Sequence, residues 1–198
     1  MIKIGLTGGI GSGKTTLAKM FEQKGIPVYY ADNRAKELMQ TDSKLITRIK
    51  QLLGEKAYQN NRLNTKYISE IVFEKPEKLT ALEQIVHPAV LQDFLSWAKR
   101  QKSAFVIMEN AILHKSGMDK EMDYVILVTA NDEIRQQRVV KRDKTSPEAV
   151  KKRMQNQEKQ TELLKKSDFV IENNFSMENL RQKIERIFEN VNFKLKKR

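Results

Sequence analysis

The hydrophobic and polar positions of the chain follow two periods. Residues 2–6, 26–30, 104–108, 124–130 and 169–171 are short, nearly continuous apolar runs, the pattern of strands buried on both faces of a parallel sheet. Between them apolar residues recur three and four apart. Leu17, Ala18 and Phe21 predict a helix over 14–24 that stops at Gly25, and residues 33–39 turn helical after Ala31-Asp32. Residues 134–142 predict a basic helix. Ser146-Pro147-Glu148 combines a capping hydroxyl, a first-turn proline and an acid, and opens a helix expected to run to about 166; residues 177–188 predict the last one. Residues 41–102 hold no convincing strand. Leu45, Ile49, Leu52 and Leu53 make one helical face before Gly54, and Tyr67, Ile68, Ile71, Val72 and Phe73 a second. Leu79, Leu82, Ile85 and Val86 make a third, and a fourth starts after Pro88 with Val90, Leu91, Phe94, Leu95 and Ala98, with Trp97 as core. The expectation is α/β: a doubly wound parallel sheet of about five strands, interrupted by a helical insertion of about 60 residues, longer than a crossover helix requires.

Composition narrows the chemistry. The chain has 198 residues, 39% apolar and 31% charged, which suits one globular core with an insertion or lid. Without cysteine, disulfides, thiolate metal sites and cysteine nucleophiles are excluded, and two histidines do not make a histidine-rich metal centre. No apolar run approaches the ~20 residues that span a bilayer, and the N-terminus passes straight into a strand; no membrane partner and a cytoplasmic location are expected. The net charge of +12 is spread along the chain except for a basic block at 194–198. No aromatic-interleaved basic motif, helix-turn-helix or zinc module accompanies it, so no nucleic-acid partner is expected. Such charge does attract polyanionic small molecules.

One motif stands out. Gly8-Gly9-Ile10-Gly11-Ser12-Gly13-Lys14-Thr15 fits G-x-x-x-x-G-K-[ST], between a strand and a helix. Glycines let successive N–H groups wrap a phosphate at the positive end of the following helix, Lys14 reaches the β- and γ-phosphates, and Thr15 offers a hydroxyl to Mg²⁺. A nucleoside triphosphate site is therefore expected, formed by Gly9, Ile10, Gly11, Ser12, Gly13, Lys14, Thr15 and Thr16. Ligands of open parallel sheets sit beyond the carboxyl ends of the strands, and two acids fall there. Asp32 can accept the proton of an attacking hydroxyl or cap the helix that follows, and the roles are compatible; Glu109 can orient water on Mg²⁺ or be a solvated strand-end acid. A basic cluster of Arg135, Arg138, Lys141 and Arg142 with Asp143 places Arg138 and Arg142 on one helical face, where guanidinium groups can neutralise a transferring phosphoryl group or simply face solvent. His87-Pro88 reads as a boundary between two helices, and nothing is assigned to His114.

Taken in order, these segments resemble the dephospho-coenzyme A kinases. The opening Leu6-Thr7-Gly8-Gly9-Ile10-Gly11-Ser12-Gly13-Lys14 is similar to that family's phosphate loop, and Tyr30-Ala31-Asp32 to its Asp-Ala-Asp, with tyrosine in the first position. The segment ending in Val86-His87-Pro88 resembles its His-Pro segment, Arg138 to Asp143 its lid pattern, Arg153 and Gln157 the Arg-x-x-x-Gln that follows, and the run from Asp168 to Asn173-Asn174 its final strand. Glu109-Asn110-Ala111-Ile112-Leu113-His114-Lys115 departs from the family's proline-containing stretch. The resemblance implies a phosphate-loop kinase that uses ATP and Mg²⁺ to phosphorylate the ribose 3′-hydroxyl of 3′-dephospho-coenzyme A. It implies Asp32 as base, Lys14, Arg138 and Arg142 as catalytic cations, Asn173 near the nucleotide base, His87 and Glu109 on the acceptor side, and Thr15 on the metal, with Glu109 reaching it through water. The expected organisation is a core of 1–40 and 103–190 with a lid near 138–160, an acceptor-binding insertion at 41–102 and a basic tail at 191–198. The nearest rival is another phosphate-loop kinase acting on a nucleoside or nucleotide.

Overall fold

In the computed structural model, which describes residues 1–174 and 177–196, a five-stranded sheet runs in the order β2-β5-β1-β6-β7. Its strands are β1 (Ile2–Thr7), β2 (Val28–Tyr30), β5 (Phe105–Glu109), β6 (Tyr124–Thr129) and β7 (Phe169–Glu172). β1 pairs in parallel with β5 on one side and β6 on the other, Ile4 opposite Ile107 and Leu6 opposite Ile126; β6 pairs in parallel with β7. The central strands are the most apolar: Ile4, Leu6, Ile107 and Ile126 have no exposed surface. Connections leave β1 toward β2 and β5 on one side and toward β6 and β7 on the other. The carboxyl end of β1 is thus the switch point where such sheets bind ligands.

The chain divides into two compact units, residues 1–28 with 103–198, and residues 29–102. The boundary falls within β2, after Val28; the first unit carries the other four strands of the sheet, α1 (Lys14–Gln23), α6 (Asp132–Asp143), α7 (Pro147–Gln155), α8 (Gln160–Lys165) and α9 (Met177–Lys196). Ser146 caps α7 as expected, its Oγ accepting from Ala149 N. The helix expected to reach 166 instead breaks after Gln155 and resumes at Gln160. The last helix extends past 188 to Lys196, through most of the expected basic tail; its final two residues, 197 and 198, lie outside the described residues.

The second unit holds α2 (Ala31–Thr41), α3 (Ser43–Leu53), α4 (Thr65–Glu74) and α5 (Pro76–Lys99). Three expectations give way here. The two helices expected on either side of Pro88 are one: α5 runs unbroken through it. Pro88 cannot donate to the Gln84 carbonyl, but Val86, Val90, Phe94 and Ala98 keep one buried stripe across that turn, packed against α2, α3 and α4. Residues 58–63 form a small hairpin, β3 (Tyr58–Gln59) and β4 (Arg62–Leu63), joined by Asn60 and Asn61 at φ 50° and 58°. Such two-residue turns need left-handed backbone at both central positions, which asparagine tolerates, while two-residue strands are too short to show alternation. Phe73, placed on an apolar face with Ile68, is 85% exposed; five residues on, it points about 140° away around the helix. Among the described residues no helix is long and apolar enough to cross a membrane.

Candidate active site

The phosphate loop lies between β1 and α1 in the first unit. Gly13 has φ +99° and precedes the first helical residue; a β-carbon there would also overlap the Asn173 amide nitrogen, so only glycine fits. Lys14 is buried, and its Nζ donates to Gly8 O at 2.6 Å and Gly9 O at 3.4 Å, which holds the ammonium against the loop. Ser12 is buried, Thr15 exposed at the start of α1, and Thr16 half-buried behind it. Ser12 N closes the turn on Gly9 O at 3.2 Å.

Side chains far along the sequence hold this loop. Arg138, half-buried on α6, donates through Nη2 to Asn173 O (2.9 Å) and through Nη1 to Gly11 O (3.5 Å). Asn173, buried after β7, donates its Nδ2 to Ser12 O at 2.8 Å, while its own N–H bonds Thr129 O. The structure therefore brings the loop, Arg138 and Asn173 together. Arg142, one turn along α6, is exposed and forms a bidentate pair with Asp143 (Nε–Oδ1 2.7 Å), which also binds Arg153. That pairing raises the Arg142 pKa and holds Asp143 below the usual carboxylate range.

Two further side chains hold the loop, and no local motif marks either as its partner. Arg135, counted only as part of a basic face, is buried, and its Nε donates to Ile10 O at 3.0 Å. Gln157 sits in the break between α7 and α8 and accepts from Ile10 N at 2.9 Å. The signal for Arg135 was weak. It lies three residues before Arg138, on the face of α6 that also buries Val139, but one more arginine in a basic helix does not stand out.

Glu109 ends β5 and is only 8% exposed, so it is no solvated strand-end acid. Glu109 and Thr15 each offer oxygen donors, the type that suits Mg²⁺ held largely by phosphates and water; among the described residues no three acids or histidines converge into a metal cage.

Asp32 and His87 belong to the second unit. Asp32 lies in the first turn of α2, exposed; Tyr30 occupies the capping position, so the carboxylate is not tied up as a cap. Its flanks are fixed. Asp93 on α5 accepts from Tyr29 Oη (2.7 Å) and from Arg34 Nε (3.0 Å) and Nη2 (2.9 Å). Burial by itself would raise the Asp93 pKa, but these bonds and the Arg34 charge outweigh it and hold the carboxyl below its ordinary value. Burial and the same carboxylate push the Tyr29 hydroxyl well above its usual range. Tyr29 also packs edge-on against Phe94, centroids 5.3 Å apart. Half-buried Trp97 joins the cluster 5.5 Å from Tyr29. His87 is half-buried in the middle of α5 rather than at a helix boundary.

Comparison with known proteins places this geometry. The family model described as dephospho-CoA kinase matches residues 2–179. The chain is 37% identical to the dephospho-CoA kinase of Chlorobaculum tepidum over 196 residues, 95% of this chain and 94% of that one. It is 37% identical to that of Fusobacterium nucleatum, covering 95% and 97%. Among solved structures, TT1252 from Thermus thermophilus superposes with a TM-score of 0.83 at 31% identity, over 96% and 97% of the chains. The dephospho-CoA kinase of Campylobacter jejuni gives 0.70 at 26%, over 96% of each. Shikimate kinase from Bacteroides thetaiotaomicron, at 14% identity and 0.61, shares the fold. A phosphate loop at the switch point of a five-stranded parallel sheet, matched along almost the whole chain, leaves one conclusion: this chain belongs to the dephospho-CoA kinase family.

Proposed function

We propose that the chain transfers the γ-phosphoryl group of ATP to the ribose 3′-hydroxyl of 3′-dephospho-coenzyme A, giving ADP and coenzyme A, with Asp32 as the base. The observation that carries the nucleotide half is the phosphate loop, with a buried Lys14 and with Asn173 and Arg138 anchored on its carbonyls. The loop amides and Lys14 grip the β- and γ-phosphates. Asp32 takes the proton of the 3′-hydroxyl as its oxygen attacks the γ-phosphorus, and the bond to the β-phosphate oxygen breaks to release ADP. An exposed carboxylate, free of a capping role and flanked by Tyr29 and Arg34 that Asp93 anchors, suits a base that must meet an incoming hydroxyl. Arg138 and Arg142 neutralise charge on the moving phosphoryl group from α6, the start of a lid over 138–160. Thr15 and, through water, Glu109 would hold Mg²⁺, which when bound screens charge between the phosphates. Residues 41–102, including His87, would serve the bulky acceptor.

A coupled ADP-release assay tests the acceptor, offering 3′-dephospho-coenzyme A beside AMP, CMP, adenosine and no acceptor. Turnover with the first alone is expected. Transfer to a nucleoside monophosphate but not to 3′-dephospho-coenzyme A would favour the nucleotide-kinase alternative.

A further inference from the structure

We infer that Arg135 and Gln157 form a clamp on Ile10 that sets the affinity for ATP, so that the break between α7 and α8 is a positioning device for the phosphate loop. The inference rests on the loop's role as a nucleotide site. The two peptide planes that meet at Ile10 are pinned separately. The Gly9–Ile10 plane donates its N–H to Gln157 Oε1 at 2.9 Å, and the Ile10–Gly11 plane gives its carbonyl to Arg135 Nε at 3.0 Å. The two side chains bond each other as well, Arg135 Nη2 to Gln157 Oε1 at 3.3 Å, and Asp132 holds Nη1 at 2.9 Å. All three guanidinium nitrogens thus serve the protein, which makes Arg135 a holder of the loop more than a ligand of phosphate.

This clamp falls where the loop most needs one. Ile10 is flanked by Gly9 and Gly11, and glycine backbone that is not held samples many conformations. A loop ordered before binding spares the nucleotide that ordering cost. The fit around Gly9 is close: a β-carbon there would run into Arg135 Nη2 and come within 3.1 Å of Gln157 Oε1. The break in the helix has the same explanation. Continued helix from Gln155 would carry residue 157 onward around the α7 axis; the turn over 156–159 turns its amide oxygen to the loop. Gln157 is only half-buried and borders a cavity of about 690 Å³, lined also by Leu127, Met154 and Leu163, so its replacement does not open the packed core.

The role uses only the acceptor oxygen of Gln157, which makes it testable. Gln157→Met keeps the length without an acceptor, and Gln157→Glu keeps an acceptor for both Ile10 N–H and Arg135. ATP affinity by titration calorimetry, KM for each substrate and the thermal midpoint without ligand are to be measured for both variants. If Gln157→Met leaves the loop ordered a tenth of the time, the Kd for ATP rises about tenfold. KM for 3′-dephospho-coenzyme A and the thermal midpoint are expected to stay unchanged, with Gln157→Glu recovering most of the ATP affinity. Wild-type ATP affinity in Gln157→Met overturns the inference. So does equal weakening of both variants, which would mean that side-chain shape matters and the acceptor does not. A wild-type chain with no measurable ATP affinity would instead overturn the nucleotide reading itself.

Discussion

In the phosphate loop the working groups are main-chain amides and one lysine; at the start of α2 the working group is a single exposed carboxylate. The two regions are held by opposite means. Glycine gives the loop its shape and leaves it free to lose that shape, so long side chains from α6, the α7–α8 break and the end of β7 pin its carbonyls and N–H groups. Asp32 sits on regular helix, whose backbone needs no pinning. What is fixed there is the entry of the helix, by one carboxylate on α5 that takes hydrogen bonds from the residues three before and two after Asp32. A flexible backbone has to be tied at several points, whereas a rigid one needs only its angle of approach set.

That difference predicts a separation of effects. Asp32→Asn is expected to lower kcat about thousandfold while leaving ATP affinity and the thermal midpoint nearly intact; single-turnover kinetics beside calorimetry would show it, and retention of most activity would remove Asp32 as the base. Lys14→Ala should cost about 3 kcal/mol of transition-state stabilisation, some hundredfold in kcat/KM for ATP, with the KM for the acceptor little changed. An effect on both substrates alike would blur the proposed division of labour.

The anchor beneath Asp32 should read out in stability first. Asp93→Ala strands the Tyr29 hydroxyl and the Arg34 guanidinium, and is expected to lower stability by about 2 kcal/mol, measurable by urea titration. The pH dependence follows from the lowered Asp93 pKa. The carboxyl binds its proton more weakly folded than unfolded, so its contribution is fully present above the ordinary value of 3.8 and is lost as pH falls through the lower folded value. The gap in melting temperature between wild type and Asp93→Asn should hold from pH 7 to 5 and narrow below about pH 4. A gap that widens on acidification would contradict the ion pair. The smallest effect belongs to the hairpin turn. Asn61→Val forces a β-branched residue into left-handed backbone and should cost about 1 kcal/mol, whereas Asn61→Gly should be near neutral.

How much of this was legible along the chain depended on the range of the forces involved. The loop was readable because its chemistry is local: eight consecutive residues supply the glycine freedom, the amides, the ammonium and the hydroxyl. The buried strands were readable too, since continuous apolar runs have few other places to go. Asp32 could be placed at a strand end, but only the structure showed Tyr30 taking the capping position and freeing the carboxylate. Helix boundaries failed where packing outvoted local preference. Pro88 reads as a breaker, yet the stripe through Val86, Val90, Phe94 and Ala98 buries enough apolar surface to carry α5 past the missing hydrogen bond.

The sequence by itself thus determined the sheet, the nucleotide loop and the family. Tertiary structure alone decided which of many arginines and amides hold the loop, because the partners of Ile10 lie 125 and 147 residues away and that of Ser12 161 away. Propensity and spacing report on a chain's near neighbours. A hydrogen bond across such a distance exists only once β6 and β7 have been laid beside β1 in the sheet.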